Sequence, residues 1–187
     1  MRLLESTMIR LFDEVPYLGN EHIVLRKLEE KDAGALRELT DSSRVYRYLP
    51  TFLFEKQYED PAEVIRLLYT DCFDRKESLI LGVCRRDTDS FCGLAEFYGL
   101  KQELHKTCIG YCLAESCWGK GIATQAVSLM VDYLFAKTDI EIITASTMVE
   151  NRASARVLEK NGFTRTSRGV PEDWGYAEPT LADKRFR

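Results

Sequence analysis

The stretch "WGKGIATQA", residues 118–126, places two glycines around a lysine directly before an apolar helical pattern. Glycine permits positive φ and lacks the Cβ that would keep a ligand away from the main-chain amides. Ala123, Ala126, Val127, Met130 and Leu134 then form one apolar stripe, which predicts a helix through about Ala136. The unpaired N–H groups of a helix start favour phosphate, so this stretch predicts either a phosphate site or a tight turn without a ligand.

Two familiar phosphate motifs do not fit this stretch. A P-loop requires G-x-x-x-x-G-K-[ST], but Lys120 stands between the glycines and no Ser or Thr follows it. The dinucleotide fingerprint G-x-G-x-x-G fails at Thr124, where its third glycine would stand. A pyrophosphate held by backbone amides alone is the remaining phosphate hypothesis.

The surrounding chain predicts a mixed, mostly antiparallel sheet with helices packed on it, an α/β (α+β) fold. Short polar links between the strand patterns at 78–86, 90–100 and 106–114 predict an antiparallel meander. A β-branched run at 141–148 predicts a buried strand. Asn151 as N-cap and Gly162 just past the end bound a short helix. The other expected elements are a strand at 22–28, helices at 30–41 and 61–73, and strands at 163–170 and 180–187.

Composition narrows the class of protein. The 187 residues, 45% hydrophobic with a net charge of −4, predict one globular domain with no general attraction to nucleic acid or anionic membrane. Six cysteines without a C-x-x-C pair predict free thiols, no metal site and a reducing cytoplasm. We expect an irregular lead-in over 1–20 without a signal peptide, and a single domain over 21–187.

Two motifs together resemble those of the GNAT N-acetyltransferase superfamily. "WGKGIA" resembles its Q/R-x-x-G-x-G/A signature, with Trp118 at the Gln/Arg position and Gly121 and Ala123 at the small positions. "NRASARVLEKNGF", residues 151–163, is similar to the second signature of the RimJ/RimL-type branch, the ribosomal-protein N-terminal acetyltransferases. The resemblance covers about residues 20–187. One departure is Glu115, where many members carry proline.

The resemblance implies an acetyl-CoA site. Main-chain groups of Cys112–Ala114 would bond the pantetheine arm and the thioester, and amides of Gly119–Thr124 would hold the pyrophosphate. Asn151 would touch the pantetheine in addition to capping its helix. The implied cofactor-binding residues are Cys112, Leu113, Ala114, Trp118, Gly119, Lys120, Gly121, Ile122, Ala123, Thr124, Asn151 and Ser154.

Acetyl transfer to an amine requires a neutral amine, a donor to the oxyanion and a proton for the leaving thiolate. By the resemblance Ser154 supplies that proton; the alternative is a bond to its own helix. Glu96, on a strand face with Leu94 and Tyr98, is the proposed base, and a salt bridge to Lys or Arg is the alternative. Further candidates for the base are Glu150, Asp173 and Glu178.

The expected function is therefore transfer of an acetyl group from acetyl-CoA to a primary amine by direct attack in a ternary complex. The acceptor is a protein N-terminus or a small-molecule amine, and the protein is a monomer or homodimer. The alternative function is a non-catalytic module that binds acetyl-CoA or CoA as a regulator.

Overall fold

A computed structural model describes residues 8–48, 58–173 and 180–187. In this part of the chain one sheet holds eight strands in the order β1-β2-β3-β4-β5-β6-β8-β7. Only β5 and β6 pair in parallel, and the other neighbours are antiparallel. The strands are β1 (Leu18–Gly19), β2 (Ile23–Arg26), β3 (Ser78–Arg85), β4 (Phe91–Lys101), β5 (Lys106–Leu113), β6 (Ile142–Met148), β7 (Thr164–Glu172) and β8 (Thr180–Phe186).

Five α-helices accompany the sheet in the described residues. They are α1 (Ala33–Asp41), α2 (Ser43–Tyr46), α3 (Pro61–Leu67), α4 (Ile122–Lys137) and α5 (Arg152–Lys160). A π-helical segment, Leu68–Cys72, continues α3, so the predicted helix over 61–73 changes its hydrogen-bond spacing in its second half. The helix predicted after Gly121 and the meander of β3, β4 and β5 are confirmed.

The sheet is covered on both faces, because alternate strand residues point to opposite sides. Ala95 and Phe97 of β4 belong to a buried cluster with Met130 and Leu134 of α4. Leu94, which directly precedes Ala95, belongs to a second cluster with helices α1 and α3. We name these two faces the α4 face and the α1 face.

The segment before β2 packs onto this core. Leu11 is fully buried among residues of the α4 face. Leu18–Gly19 pairs with Val24 and Leu25 as a short edge strand, which adds a strand to the predicted lead-in. The domain boundary expected at residue 20 stays a prediction.

Candidate active site

Strands β5 and β6 separate part of the way along the sheet. Their parallel pairing runs only from Lys106↔Ile142 to Cys108↔Thr144. Beyond this point β5 continues to Leu113, whereas β6 continues to Met148 paired with β8. Residues 109–113 of β5 therefore have no paired strand on their β6 side. Main-chain groups without a strand partner need other partners, so this opening is a place for a ligand that can supply them.

Two residues of β5 direct main-chain groups into the opening. The Ala114 N–H donates to the Cys92 carbonyl at 2.8 Å, so Ala114 bonds toward β4. In an antiparallel pair the bonding residues alternate, so Cys112 also faces β4, whereas Leu113 and Tyr111 turn their N–H and C=O groups away from it. Of the three residues expected to bond pantetheine through the main chain, only Leu113 faces the opening. Tyr111, which the sequence did not assign this role, joins it.

The loop after β5 needs its two glycines because of backbone conformation. Gly119 and Gly121 have φ values of 71° and 75°, in the left-handed region that side chains disfavour. A Cβ added at either position would meet no described atom within 4 Å. The described chain therefore leaves the space beside both glycines open to a ligand. Between them, Lys120 is exposed and its Nζ donates to the Ser116 carbonyl at 2.7 Å.

Helix α4 begins without a side-chain cap. Gly121 occupies its N-cap position, and its carbonyl accepts the first helical bond from Gln125. The N–H groups of Ile122, Ala123 and Thr124 precede that bond, so no helical carbonyl satisfies them. Together with the positive end of the helix dipole, these amides can bind an anion such as a pyrophosphate.

Helix α5 begins with a cap, as predicted. The Asn151 side chain accepts from the Ser154 N–H at 3.1 Å, and Gly162 follows the helix end with a φ of 80°. The Ser154 hydroxyl lies 2.7 Å from the hydroxyl of Tyr111. Because Tyr111 is on β5 and Ser154 on α5, this contact joins two separate elements beside the opening.

Tyr111 is held in a poorly solvated position. Burial raises its pKa above the usual tyrosine range, while the bond to Ser154 and the positive charge of Arg185 act in the opposite direction. The phenol is therefore neutral at neutral pH and has a proton to donate. One signal in the sequence could have pointed to this residue, since Tyr111 shares a strand with Leu113.

Glu96 lies on the other side of the sheet. Ala95 is directly opposite Tyr111 on the neighbouring strand, so these two point to the α4 face and Glu96 points to the α1 face. Gly110, opposite Glu96 on β5, has no side chain to cover it. Glu96 accepts from the Ser78 hydroxyl at 2.5 Å, and the described residues give it no ion pair with Lys or Arg. The salt-bridge alternative is therefore wrong within the described chain.

Burial changes the acidity of Glu96. It raises the pKa of this carboxyl to about 7, although the bond from Ser78 opposes the shift. A carboxylate of that pKa can accept a proton near neutral pH. Of the other candidate bases, Glu150 is exposed in the turn before α5 and Asp173 is exposed after β7. Glu178 lies outside the described residues.

Glu115 connects the glycine loop to α2. Its carboxylate accepts from the Ser42 hydroxyl at 2.7 Å and pairs with Arg44 at 2.5 Å. The Arg44 guanidinium lies 5.3 Å from the centre of the Trp118 ring, and the indole Nε1–H of Trp118 donates to the Leu113 carbonyl at 2.8 Å. Glu115 thus belongs to a set of contacts that joins α2, the glycine loop and the end of β5.

Other site types find little support among residues 8–48, 58–173 and 180–187. These residues contain no group of three His, Cys, Asp or Glu side chains arranged to hold a metal ion. All six cysteines, which lie in the described ranges, are free thiols. None of the helices within those ranges combines the length and apolar character that a membrane crossing requires.

Comparison with known proteins identifies the family. The model of the acetyltransferase (GNAT) domain matches residues 22–164. This chain belongs to the GNAT acetyltransferases and is an acyl-CoA-dependent N-acetyltransferase. The likeness to the RimJ/RimL-type branch is confirmed.

Individual relatives agree with this assignment. The chain is 31% identical to YdaF, a proposed ribosomal N-acetyltransferase of Bacillus subtilis (strain 168), over 77% of this chain and 79% of the relative. The apo structure of RimL, a ribosomal L7/L12 alpha-N-protein acetyltransferase, superposes with a TM-score of 0.77 at 18% identity, over 96% and 98% of the two chains. Spermidine N-acetyltransferase from Vibrio cholerae, solved with CoA and spermine, gives a TM-score of 0.74 at 21% identity, over 90% and 96%.

Proposed function

We propose that the protein transfers an acetyl group from acetyl-CoA to a primary amine, by direct attack of the amine on the thioester in a ternary complex. The observation that carries this proposal is the opening between β5 and β6, which leaves Leu113 and Tyr111 without a paired strand on their β6 side, next to the start of α4, which has no side-chain cap. An extended pantetheine arm can satisfy such an edge, and a pyrophosphate can satisfy such a helix start.

The cofactor would lie with its pyrophosphate at the start of α4 and its pantetheine arm along the free edge of β5. The amides from Gly119 to Thr124 hold the pyrophosphate, with the Lys120 ammonium close by on the same loop. The main chain of Leu113 and Tyr111 bonds the pantetheine arm. The Asn151 side-chain oxygen accepts the cap bond from the Ser154 N–H, which leaves both hydrogens of the side-chain NH2 group to donate to the pantetheine.

Each chemical requirement has a residue beside the opening. The Leu113 N–H donates to the oxyanion that forms when the amine nitrogen attacks the carbonyl carbon. Glu96, acting from the α1 face through a water, accepts the proton that the amine loses. As the C–S bond breaks, Ser154 donates its hydroxyl proton to the thiolate, whose thiol has a pKa of about 8.5.

A protein α-amine is the acceptor that this arrangement favours. Its pKa is about 8, so a useful neutral fraction exists at pH 7, whereas a lysine amine with a pKa of about 10.4 requires more assistance. One carboxylate with a pKa of about 7 is sufficient for the first case. The ribosomal names of YdaF and RimL support this class, and the spermidine enzyme makes small polyamines the second class to test.

An amine panel tests the function. Release of the CoA thiol is measured with acetyl-CoA and one amine at a time: short peptides with free N-termini, the same peptides with blocked N-termini and a free lysine, and spermidine. We expect the free N-terminal peptides to react fastest. In Ser154→Ala, turnover should fall roughly 100-fold, with little change in the apparent KM for acetyl-CoA.

Two results would contradict the proposal. If the folded protein bound acetyl-CoA tightly but released no thiol with any amine, the regulatory-module alternative would replace catalysis. If Ser154→Ala retained full turnover with every reactive amine, Ser154 would keep only its structural role in α5.

A further inference from the structure

The hydroxyl group of Tyr111 lies within hydrogen-bond distance of two atoms of Ser154. The Tyr111 Oη lies 2.7 Å from the Ser154 Oγ and 3.2 Å from the Ser154 carbonyl oxygen, so its single hydrogen can be donated to either atom, and the Oγ is the nearer of the two. Tyr111 belongs to the sheet, so its ring position is fixed by β5 and not by α5. These contacts therefore fix the position of the first turn of α5 relative to the edge of β5 that faces the opening.

The direction of the hydroxyl–hydroxyl bond decides what Ser154 can do. A serine hydroxyl has one hydrogen to donate and two lone pairs that accept. If Ser154 donated to Tyr111, no hydrogen would remain for a thiolate. If Tyr111 donates, the Ser154 hydrogen is free to turn toward the opening, and the usual bond of a helical serine to its own backbone is also avoided.

A serine acting alone is a poor proton donor to sulfur. A serine alkoxide is a far stronger base than a thiolate, so donation is favourable only if Ser154 regains a proton as it gives one up. A phenol, with an ordinary pKa of about 10, is much closer than a serine hydroxyl to the thiol value of about 8.5. Burial raises the pKa of Tyr111 above that ordinary value, and the bond to Ser154 and the charge of Arg185 oppose this rise. Tyr111 is the neighbouring group that can supply this proton.

A buried cation lies beside this pair. Arg185 is 2% exposed, and its charge acts on Tyr111. It donates to the Thr147 hydroxyl at 2.6 Å, with Asp183 at 3.5 Å and Glu159 at 3.8 Å. Its Nε is buried without a hydrogen-bond partner among the described residues. This fixed positive charge stabilises a phenolate that forms on Tyr111.

We propose that Tyr111 is the positioning residue of Ser154, which orients the serine hydroxyl toward the thioester sulfur and replaces the proton that the serine donates. The inference rests on the proposed function of Ser154. In this step the Ser154 proton forms the S–H bond of CoA, and the Tyr111 proton forms the new O–H bond of Ser154. The Tyr111 phenolate, paired electrostatically with Arg185, recovers a proton from solvent after CoA leaves.

A double-mutant cycle tests the inference. Tyr111→Phe keeps the ring and removes only the hydroxyl, so we expect kcat to fall about 10- to 100-fold, with the Kd of acetyl-CoA by calorimetry within about twofold. Ser154→Ala should lower kcat at least as much. Because both hydroxyls act on one proton, the double variant should be no slower than the slower single variant. Tyr133→Phe is the matched control, since its buried hydroxyl has no partner in the described chain.

The outcomes separate the two proposals. If Ser154→Ala is slow and Tyr111→Phe has normal kcat, Tyr111 does not position Ser154, although the role of Ser154 stands. Multiplied effects in the double variant would also overturn the inference, because Tyr111 would act independently. Full activity of Ser154→Ala would remove the role of Ser154 itself, and the inference with it. Loss of acetyl-CoA binding in Tyr111→Phe would make its role structural.

Discussion

The two sides of the sheet at the opening carry opposite chemistry. The α4 face presents hydrogen-bond donors: the first amides of α4, the Ser154 hydroxyl and the Tyr111 hydroxyl, with the Arg185 cation behind them. The α1 face presents the Glu96 carboxylate, whose described partner is the Ser78 hydroxyl. Ala95 and Glu96 are adjacent in sequence, yet they face different sides because strand residues alternate.

In the proposed mechanism, this difference lets one opening serve two reactants of opposite charge. An anionic cofactor and its leaving thiolate are stabilised by donors on the α4 face. An amine must lose a proton, and Glu96, the acceptor that we propose for that proton, lies on the α1 face. The separation also prevents Glu96 from repelling the pyrophosphate or neutralising the donors. Each prediction below changes one side and leaves the other intact.

Removing the carboxylate on the α1 face should have the largest effect. Glu96→Gln keeps the shape and removes the base, so turnover at pH 7 should fall roughly 100-fold. It should recover partly as pH rises toward the pKa of the amine, because the neutral amine then forms without help. The measurement is a pH–rate profile with a reactive peptide. A profile parallel to that of the wild type would exclude Glu96 as the base.

The same variant has a second, independent readout. The native pKa of Glu96 is about 7 against an ordinary 4.5, so the native state keeps a proton that the unfolded chain loses between these values. The stabilising contribution is present below pH 4.5 and is lost as pH rises to 7. Urea unfolding should therefore show that the stability of Glu96→Gln depends less on pH, and that the variant is no less stable than the wild type at pH 8.

Changing the anion site on the α4 face should weaken cofactor binding. Gly121→Asp places a carboxylate at the start of α4, where it repels the pyrophosphate and fills space that is open in the described chain. We expect the Kd of acetyl-CoA to rise about tenfold or more, which corresponds to about 1.4 kcal/mol. Isothermal titration calorimetry measures it.

Gly169→Asp is the control for that variant. Gly169 lies on β7 with a φ of 60°, and an added Cβ meets nothing within 4 Å, so the backbone strain is similar. Its cofactor affinity should stay within about twofold of the wild type. Equal weakening in the two variants would assign the effect of Gly121→Asp to strain, and normal affinity in folded Gly121→Asp would reject this pyrophosphate position.

The start of α5 should show a cap effect on stability. Asn151→Ala removes the bond to the Ser154 N–H, which should lower the free energy of unfolding by about 1 kcal/mol. Asn151→Asp keeps an oxygen for the cap but has no amide N–H for pantetheine. Denaturant unfolding should show a lower free energy of unfolding for Asn151→Ala than for Asn151→Asp. Both variants should bind acetyl-CoA more weakly than the wild type. Normal binding by Asn151→Asp would show that the side chain serves the cap alone.

The ion pair between Glu115 and Arg44 should have the smallest effect. Arg44 is largely exposed, so the pair is worth about 0–1 kcal/mol of stability. Glu115→Gln keeps an acceptor for Ser42 and removes the charge. We expect a change in acetyl-CoA affinity of less than about threefold, measured by the same calorimetry. A change above about tenfold would show that α2 and the glycine loop are coupled in cofactor binding.

The sequence predicted the features that depend on neighbouring residues. The Asn151 cap of α5 could be predicted because the bond that its side-chain oxygen accepts comes from the Ser154 N–H, only three residues along the chain. The loop conformation at Gly119 and Gly121 could be predicted because a positive φ favours glycine over other residues. The meander of β3, β4 and β5 could be predicted because short polar links separate its strand patterns, and a short link between neighbouring strands favours antiparallel pairing.

The tertiary structure decided the features that join distant parts of the chain. Tyr111 and Ser154 are 43 residues apart, Ser78 and Glu96 are 18 apart, and Ser42 and Glu115 are 73 apart. No local pattern encodes the point at which β5 and β6 separate, because that point depends on the register of β6 with β8. The sequence by itself therefore determined the loop, the caps and the residue types of the site. Only the packing of the sheet and helices determined which donors face the opening and which carboxylate lies behind it, since side-chain contacts form across the fold and not along the chain.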